Sequence, residues 1–372
     1  MANVMVLGAG AAGLAVAAQL KLRGVDSVVL ERGPGVGTSW RGRYDRLRLH
    51  TIRGLSGLPG FGIPREYGRW VRRDDLVRYL EAYAERFDLD VRTGTTVTRV
   101  KPGGDRWAVQ LSDGGELTAR TLIVATGYLH TPVVPPWPGL DTWTGSLTHS
   151  ATYRNAEPFR GKHMLVAGVG NSGAEIATDL AEGGAASVRI AIRTPPHIVR
   201  RSMAGWPAQM NGLLLGGLPE PVFNKLAATM ARLEVPDLSL YGLSRSPIGL
   251  KTRLRTSRYV PLQDVGIVRD VQAGRVRPVA AVQSFTESSV QLADGTSVQP
   301  DAIVAATGYA TGLRELFDDP ALFDDTGVPR VHGGASARPG LYFLGYDVTL
   351  GGMLRQAAIE SRRVARSVRN AL

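Results

Sequence analysis

The same short arrangement occurs twice in this chain: an apolar strand runs directly into a Gly-x-Gly-x-x-Gly turn that opens a helix. In the first copy Val4 to Leu7 lead into Gly8-Ala9-Gly10-Ala11-Ala12-Gly13, then a helix of small apolar residues from Leu14 to Leu22. In the second, His163 to Ala167 lead into Gly168-Val169-Gly170-Asn171-Ser172-Gly173, and the helix continues from Ala174 to Ala181. The first glycine of such a turn permits the tight reversal. The second lets the backbone approach a pyrophosphate, and the third lets helix and strand pack closely. The opening turn of the helix presents free N–H groups and a partial positive charge to the phosphates. Two dinucleotide sites follow from this pattern.

What comes after each helix separates the two sites. A second strand, Val28-Val29-Leu30, ends on Glu31-Arg32, where a carboxylate accepts hydrogen bonds from ribose hydroxyls. The corresponding strand of the second copy, Val188 to Ile192, ends instead on Arg193-Thr194. A carboxylate there would repel a 2′-phosphate, whereas a guanidinium pairs with it in bidentate fashion. The second site is therefore read as an NADPH site, with Thr194 as a helper. The N-terminal site, with Glu31, is read as the FAD site.

The repeat extends beyond the glycines. Asp113-Gly114 is a hairpin turn signal that precedes the apolar run Thr121 to Ala125 and then Thr126-Gly127-Tyr128. Asp294-Gly295 likewise precedes Ala302 to Ala306 and Thr307-Gly308-Tyr309. The second unit is the longer one, so it carries an insertion, placed around 203–245. There Val222, Leu226, Met230 and Leu233 suggest a helix with an apolar face. That face reads equally as a lid over a hydrophobic substrate pocket and as inter-domain packing, with a membrane contact behind both.

Composition narrows the chemistry. Among 372 residues there is no cysteine, which removes any redox disulfide or thiolate metal site. No metal ligand set is proposed. The net charge of +11 is spread along the chain, which suits steering of anionic ligands better than nucleic-acid binding. No leader-like segment precedes the first strand, and no apolar run approaches ~18 residues. A cytoplasmic protein is the expectation. A homo-oligomer is possible and not readable.

The two glycine turns with their paired Ala-Thr-Gly strands resemble the two-dinucleotide-binding flavoproteins. Within that group, Trp143-Thr144-Gly145-Ser146-Leu147-Thr148-His149-Ser150-Ala151-Thr152-Tyr153-Arg154 is similar to the FxGxxxHxxxY(K/R) signature of flavin-containing monooxygenases. The Baeyer–Villiger branch would carry Trp and then Pro or Asp where Tyr153-Arg154 stands. The stretch Trp40 to His50, the Gly168–Gly173 turn with Glu175, and Val260 to Gly266 resemble the YUCCA-type branch most. The resemblance implies an α/β fold with two Rossmann-like domains, the NADPH domain inserted into the FAD domain. Its expected division is 1–154 and 306–372 for FAD and 155–305 for NADPH.

The resemblance further implies that NADPH reduces FAD, that O2 adds to the reduced flavin as a C4a-hydroperoxide, and that one oxygen passes to a small hydrophobic organic substrate. N- or S-oxygenation and oxidative decarboxylation of a 2-oxo acid both remain open. The alternatives are a flavin reductase with another acceptor, a Baeyer–Villiger-type oxygenation, and a non-catalytic FAD/NADPH sensor. By the same resemblance His50 and Asn171 are the catalytic candidates. His50 would lie near the flavin edge or be a packed imidazole beside Tyr44, and Asn171 would reach the cofactor face. Trp40, Arg48, Leu49, His149, Thr126, Tyr128 and Thr307 complete the cofactor candidates, with His149 as a positioning device at the domain junction. Gly351-Gly352-Met353 is expected to open a long C-terminal helix whose N-terminus faces the flavin.

Overall fold

The glycine turns sit where five-stranded parallel sheets meet their helices, once in each of two units. The computed structural model describes residues 3–372. The first unit comprises the chain up to Gly42, Thr51–Thr131 and Tyr309–Leu372, and the second comprises Arg43–His50 and Pro132–Gly308.

In the first unit the sheet order is Leu341–Phe343, Thr121–Val124, Val4–Leu7, Ser27–Leu30, Asp90–Arg92, every neighbouring pair parallel. All four residues of Val4–Leu7 and of Thr121–Val124 are buried. Strands covered on both faces need such continuous apolar runs in place of alternation. The helix Ala11–Lys21 is buried from Gly13 to Leu20 without a polar stripe, as its small residues allow. It packs against the C-terminal helix Met353–Ala371. The Asp113-Gly114 signal forms a hairpin: Arg106–Leu111 and Glu116–Ala119 pair antiparallel, with Val97–Gly103 on the other side.

The second unit repeats this plan. Its sheet order is Val276–Ala280, Ser187–Ile192, His163–Ala167, Ala302–Ala305, Ser146–His149, again parallel throughout. A three-stranded antiparallel sheet, Val282–Phe285, Val290–Leu292 and Ser297–Val298, turns at Asp294-Gly295. The edges of the units differ from the division expected at 154 and 305. Ser146–His149 is the edge strand of the second sheet, so residues 132–154 fall in the second unit, as do Arg43–His50.

The insertion folds as Ala208–Leu215 and Glu220–Glu234. Its packed face is rotated from the one expected. Phe223 is buried, whereas Val222, Leu226 and Leu233 are exposed. Phe223 and the half-buried Ala227 and Ala231 make up the inward face, and the aliphatic row lies on the outside. Among the described residues no helix is long and apolar enough to cross a membrane.

Candidate functional site

Each glycine turn is closed from below by the Ala-Thr-Gly strand of its own unit. Gly8 has φ +100°, and a Cβ there would lie 2.7 Å from the carbonyl oxygen of Ala125. In the second unit Gly168 has φ +112°, and its Cβ would lie 2.5 Å from the carbonyl of Ala306. The third glycines are as tight: a Cβ on Gly13 or Gly173 would lie 1.9 or 2.0 Å from the first glycine's own carbonyl oxygen. The middle glycines are the opposite. A Cβ on Gly10 or Gly170 would meet nothing within 4 Å, and each of these residues caps its helix in extended conformation. An open, side-chain-free cap over unpaired helix N–H groups fits a pyrophosphate. Gly127 and Gly308 close the Ala-Thr-Gly strands in left-handed conformation beside equally open space.

Glu31 is buried at the end of Ser27–Leu30. One carboxylate oxygen accepts the Ala9 N–H at 2.8 Å, the other the Gly33 N–H at 2.8 Å. The side chain is thereby fixed against the turn with a lone pair left on each oxygen, and Arg32 is exposed beside it. Ala11 and Ala12 form the first helical turn, and Trp40 sits half-buried on the short helix Thr38–Arg41. Thr126 Oγ1 and the Tyr346 hydroxyl share a hydrogen bond of 2.9 Å, Tyr346 being wholly enclosed, so that burial raises its pKa. Tyr128 packs on the apolar core of the first unit. Gly352, at φ +97°, caps the helix that starts at Met353.

In the second unit Arg193 is exposed immediately after Ser187–Ile192, with Thr194 half-buried next to it. The Asn171 carboxamide is committed to the backbone. Its nitrogen donates to Pro261 O at 3.1 Å, and its oxygen accepts Gln263 N–H at 2.8 Å. The carboxamide is thus occupied, and Asn171 and Ser172 open the helix with their main-chain N–H groups. His149 is pinned on both nitrogens. Nδ1 accepts the Ala151 N–H at 3.1 Å, which leaves the proton on Nε2 to donate to Gly308 O at 3.2 Å. Burial holds this imidazole below its usual pKa, so it is a neutral clasp on the second Ala-Thr-Gly turn. The Thr307 hydroxyl donates to Val133 O on the same turn.

The motif from Trp40 to His50 has a further role, which lies in the helix Asn171–Glu182. Ser172, Glu175, Asp179 and Glu182 recur at spacings of three and four, and so share one face of that helix. Segment 43–50 is laid along this face. His50 Nε2 bonds to Glu175 Oε1, and Tyr44 faces Ser172 and Glu175. Arg46 reaches Asp179 and Glu182, the latter at 2.9 Å. Tyr153 donates to Asp179 at 2.6 Å, and Arg154 bonds to Arg43 O while its own carbonyl accepts Asp45 N–H. Burial, and then the Glu175 carboxylate, raise the Tyr44 pKa well above its usual value. His50 is therefore a paired imidazole beside Tyr44, and Arg48 and Leu49 belong to the same docked segment. The sequence signal for the role of Glu175 is an acid set directly between the apolar Ala174 and Ile176 of the helix.

The fold and these turns define a flavoprotein with two dinucleotide-binding units. The profile described as "Pyridine nucleotide-disulphide oxidoreductase" matches residues 5–204. The chain is 36% identical to an indole-3-pyruvate monooxygenase, YUCCA1, of Oryza sativa subsp. japonica, over 92% of this chain and 86% of that protein. It is 33% identical to a probable indole-3-pyruvate monooxygenase, YUCCA9, of Arabidopsis thaliana, over 98% and 88%. Among solved structures, a flavin-containing monooxygenase from Stenotrophomonas maltophilia superposes with a TM-score of 0.73 at 25% identity, covering 100% of this chain and 99% of that one. The chain belongs to the flavin-containing monooxygenases of the pyridine nucleotide-disulphide oxidoreductase family, on the YUCCA-type branch. It is an FAD- and NADPH-dependent monooxygenase that uses O2 and a small organic substrate; the reductase alternative is not favoured.

Proposed function

We propose that the enzyme carries out oxidative decarboxylation of a 2-oxo acid with an aromatic side chain, of the indole-3-pyruvate kind named for its relatives. The observation that carries this reading is the 36% identity to such an enzyme along nearly the whole chain. The stoichiometry balances: 2-oxo acid, O2, NADPH and a proton give the carboxylic acid one carbon shorter, CO2, NADP+ and water. In this reading the enzyme draws on cytoplasmic NADPH.

The site residues then have separate tasks. The Gly8–Gly13 turn, Glu31 and the Gly352 helix start hold FAD in the first unit, and the Gly168–Gly173 turn and Arg193 hold NADPH in the second. The flavin, reduced by NADPH, supplies the oxygen-activating chemistry; the protein supplies orientation and exclusion of water. The Glu31 carboxylate, already fixed by two backbone N–H groups, is preorganised for ribose hydroxyls. The Arg193 guanidinium is exposed and so available to a 2′-phosphate. His149 keeps the Gly308 turn in place and moves no proton. Glu175 keeps His50 in one orientation.

The test supplies the holoenzyme with NADPH, 18O2 and indole-3-pyruvate, and follows CO2 and the acid by mass spectrometry. One 18O atom in the carboxylate with equimolar CO2 is the expected result. Oxygenation of amine or thioether probes, with the 2-oxo acid untouched, would replace this reading by N- or S-oxygenation.

A further inference from the structure

Two prolines follow the residues read as meeting the 2′-phosphate. In Arg193-Thr194-Pro195-Pro196-His197 the pyrrolidine rings fix φ at positions 195 and 196 and hold Thr194 and Pro195 extended. They also remove two N–H groups, so the stretch has fewer donors with which to anchor itself. Where the far end of so stiff a segment is held therefore decides where Arg193 and Thr194 stand.

That end is held by residues that follow the insertion, all within the second unit. The Arg253 guanidinium, on the helix Leu250–Ser257, donates to the Pro195 carbonyl at 2.7 Å. It lies 3.7 Å over the centre of the Tyr259 ring, a cation–π contact. Between that helix and Tyr259 the chain turns at Arg258 in left-handed conformation, φ +50°, a backbone that side chains adopt only at a cost. The Tyr259 hydroxyl accepts the His197 N–H at 3.0 Å, and the Leu262 N–H donates to the His197 carbonyl at 2.8 Å. Ile198–Arg200 then pairs in parallel with Leu262–Asp264. The same segment grips the glycine turn, since Pro261 O and Gln263 N–H are the two partners of the Asn171 carboxamide. Residues 253–263 thus tie the turn read as holding the pyrophosphate to the loop read as holding the 2′-phosphate.

We propose that Arg253 is a positioning residue for NADPH selectivity: seated on Tyr259 and bonded to Pro195, it sets the Arg193-Thr194 loop where a 2′-phosphate is met. It acts through the loop and not by touching the nucleotide. The inference rests on the reading of Arg193 as the 2′-phosphate residue. A loop ordered in advance spares the nucleotide the cost of ordering it, and the gain falls on NADPH because NADH has no group there to receive it.

The test measures NADP+ and NAD+ binding to the oxidised holoenzyme by calorimetry, without turnover. Arg253→Met is expected to weaken NADP+ about fivefold and NAD+ less than about twofold, with part of the loss recovered by Arg253→Lys. Arg255→Met, on the same helix and paired with Glu220, is expected to bind both nucleotides as the wild type does. Added to Arg193→Ala, Arg253→Met is expected to cause little further loss, because it acts through that side chain. Tyr259→Phe keeps the ring and removes the hydroxyl, so it too is expected to weaken NADP+ selectively, and it carries the test should Arg253→Met fail to fold. Equal weakening of both nucleotides, or losses that simply add in the double variant, would overturn the proposal. If Arg193→Ala lowers NADP+ affinity selectively and Arg253→Met does not, the clamp alone is wrong. If Arg193→Ala affects both nucleotides alike, the 2′-phosphate reading falls and this inference with it.

Discussion

The carbonyl oxygen of Ala125 lies 2.7 Å from where a Cβ on Gly8 would stand, and Ala306 stands in the same relation to Gly168 at 2.5 Å. The two motifs that recur in the sequence, glycine turn and Ala-Thr-Gly strand, are thus the two halves of one contact. Gly8→Ala and Gly168→Ala each combine a positive φ with a backbone clash, a local cost of about 1–3 kcal/mol. They are expected to act on different cofactors. Gly8→Ala should purify depleted of FAD, whereas Gly168→Ala should keep its flavin and lose NADP+ affinity. Loss of FAD from both to the same extent, read from flavin absorbance per protein, would contradict independent sites.

In the proposed NADPH site Arg193 is the residue read as meeting the 2′-phosphate, which NADH lacks. Replacing it by Ala removes a charge-assisted contact, and kcat/KM for NADPH should fall roughly tenfold or more. The value for NADH should stay nearly constant. Equal losses with both nucleotides would move the 2′-phosphate elsewhere.

His50 and Glu175 form a pair in which Glu175 is nearly inaccessible. Removing the imidazole leaves a buried carboxylate without its partner, so His50→Ala is expected to cost roughly 2–3 kcal/mol in denaturant unfolding, a value tempered by nearby Tyr44 and Arg201. Adding Glu175→Gln should restore part of that loss. If the double variant is less stable than His50→Ala by the full cost of the second change, the two residues are not coupled.

His130 supplies a pH test of the first unit. Burial and the Arg32 guanidinium push its pKa from 6.5 down to about 4. The folded-state value is the depressed one, so the stability it contributes is present above pH 6.5 and is lost as pH falls toward 4. Between about pH 7 and about pH 5 the wild type should lose more stability than His130→Gln, whose side chain does not titrate. Parallel losses in the two proteins would show that His130 is not buried in its neutral form.

Much of this was legible in the sequence because the signals are local. Gly8 to Gly13, Gly168 to Gly173 and the two Asp-Gly hairpins are each set by residues within a few positions of one another. The burial of Val4–Leu7 follows from its unbroken apolar run. Segment 43–50 was not legible in the same way. Its membership of the second unit depends on Tyr44, Arg46 and His50 meeting a helix face more than a hundred residues away in sequence, Glu175 among them. The insertion misled for a related reason. The aliphatic row Val222-Leu226-Leu233 has the right period, but the neighbouring row led by Phe223 is the one that turns inward. The pairing of Asn171 with Pro261 and Gln263 is likewise tertiary, and it turns a candidate cofactor contact into a clasp.

As a monooxygenase this chain couples NADPH oxidation to oxygen transfer. The most direct measurement reduces the holoenzyme with NADPH under anaerobic conditions, mixes it with oxygenated buffer and follows flavin absorbance with and without indole-3-pyruvate. Rapid reduction is expected, then a transient spectrum distinct from both oxidised and reduced flavin, which decays faster when the 2-oxo acid is present and releases little H2O2. Direct return to oxidised flavin with stoichiometric H2O2, unaffected by the substrate, would contradict it.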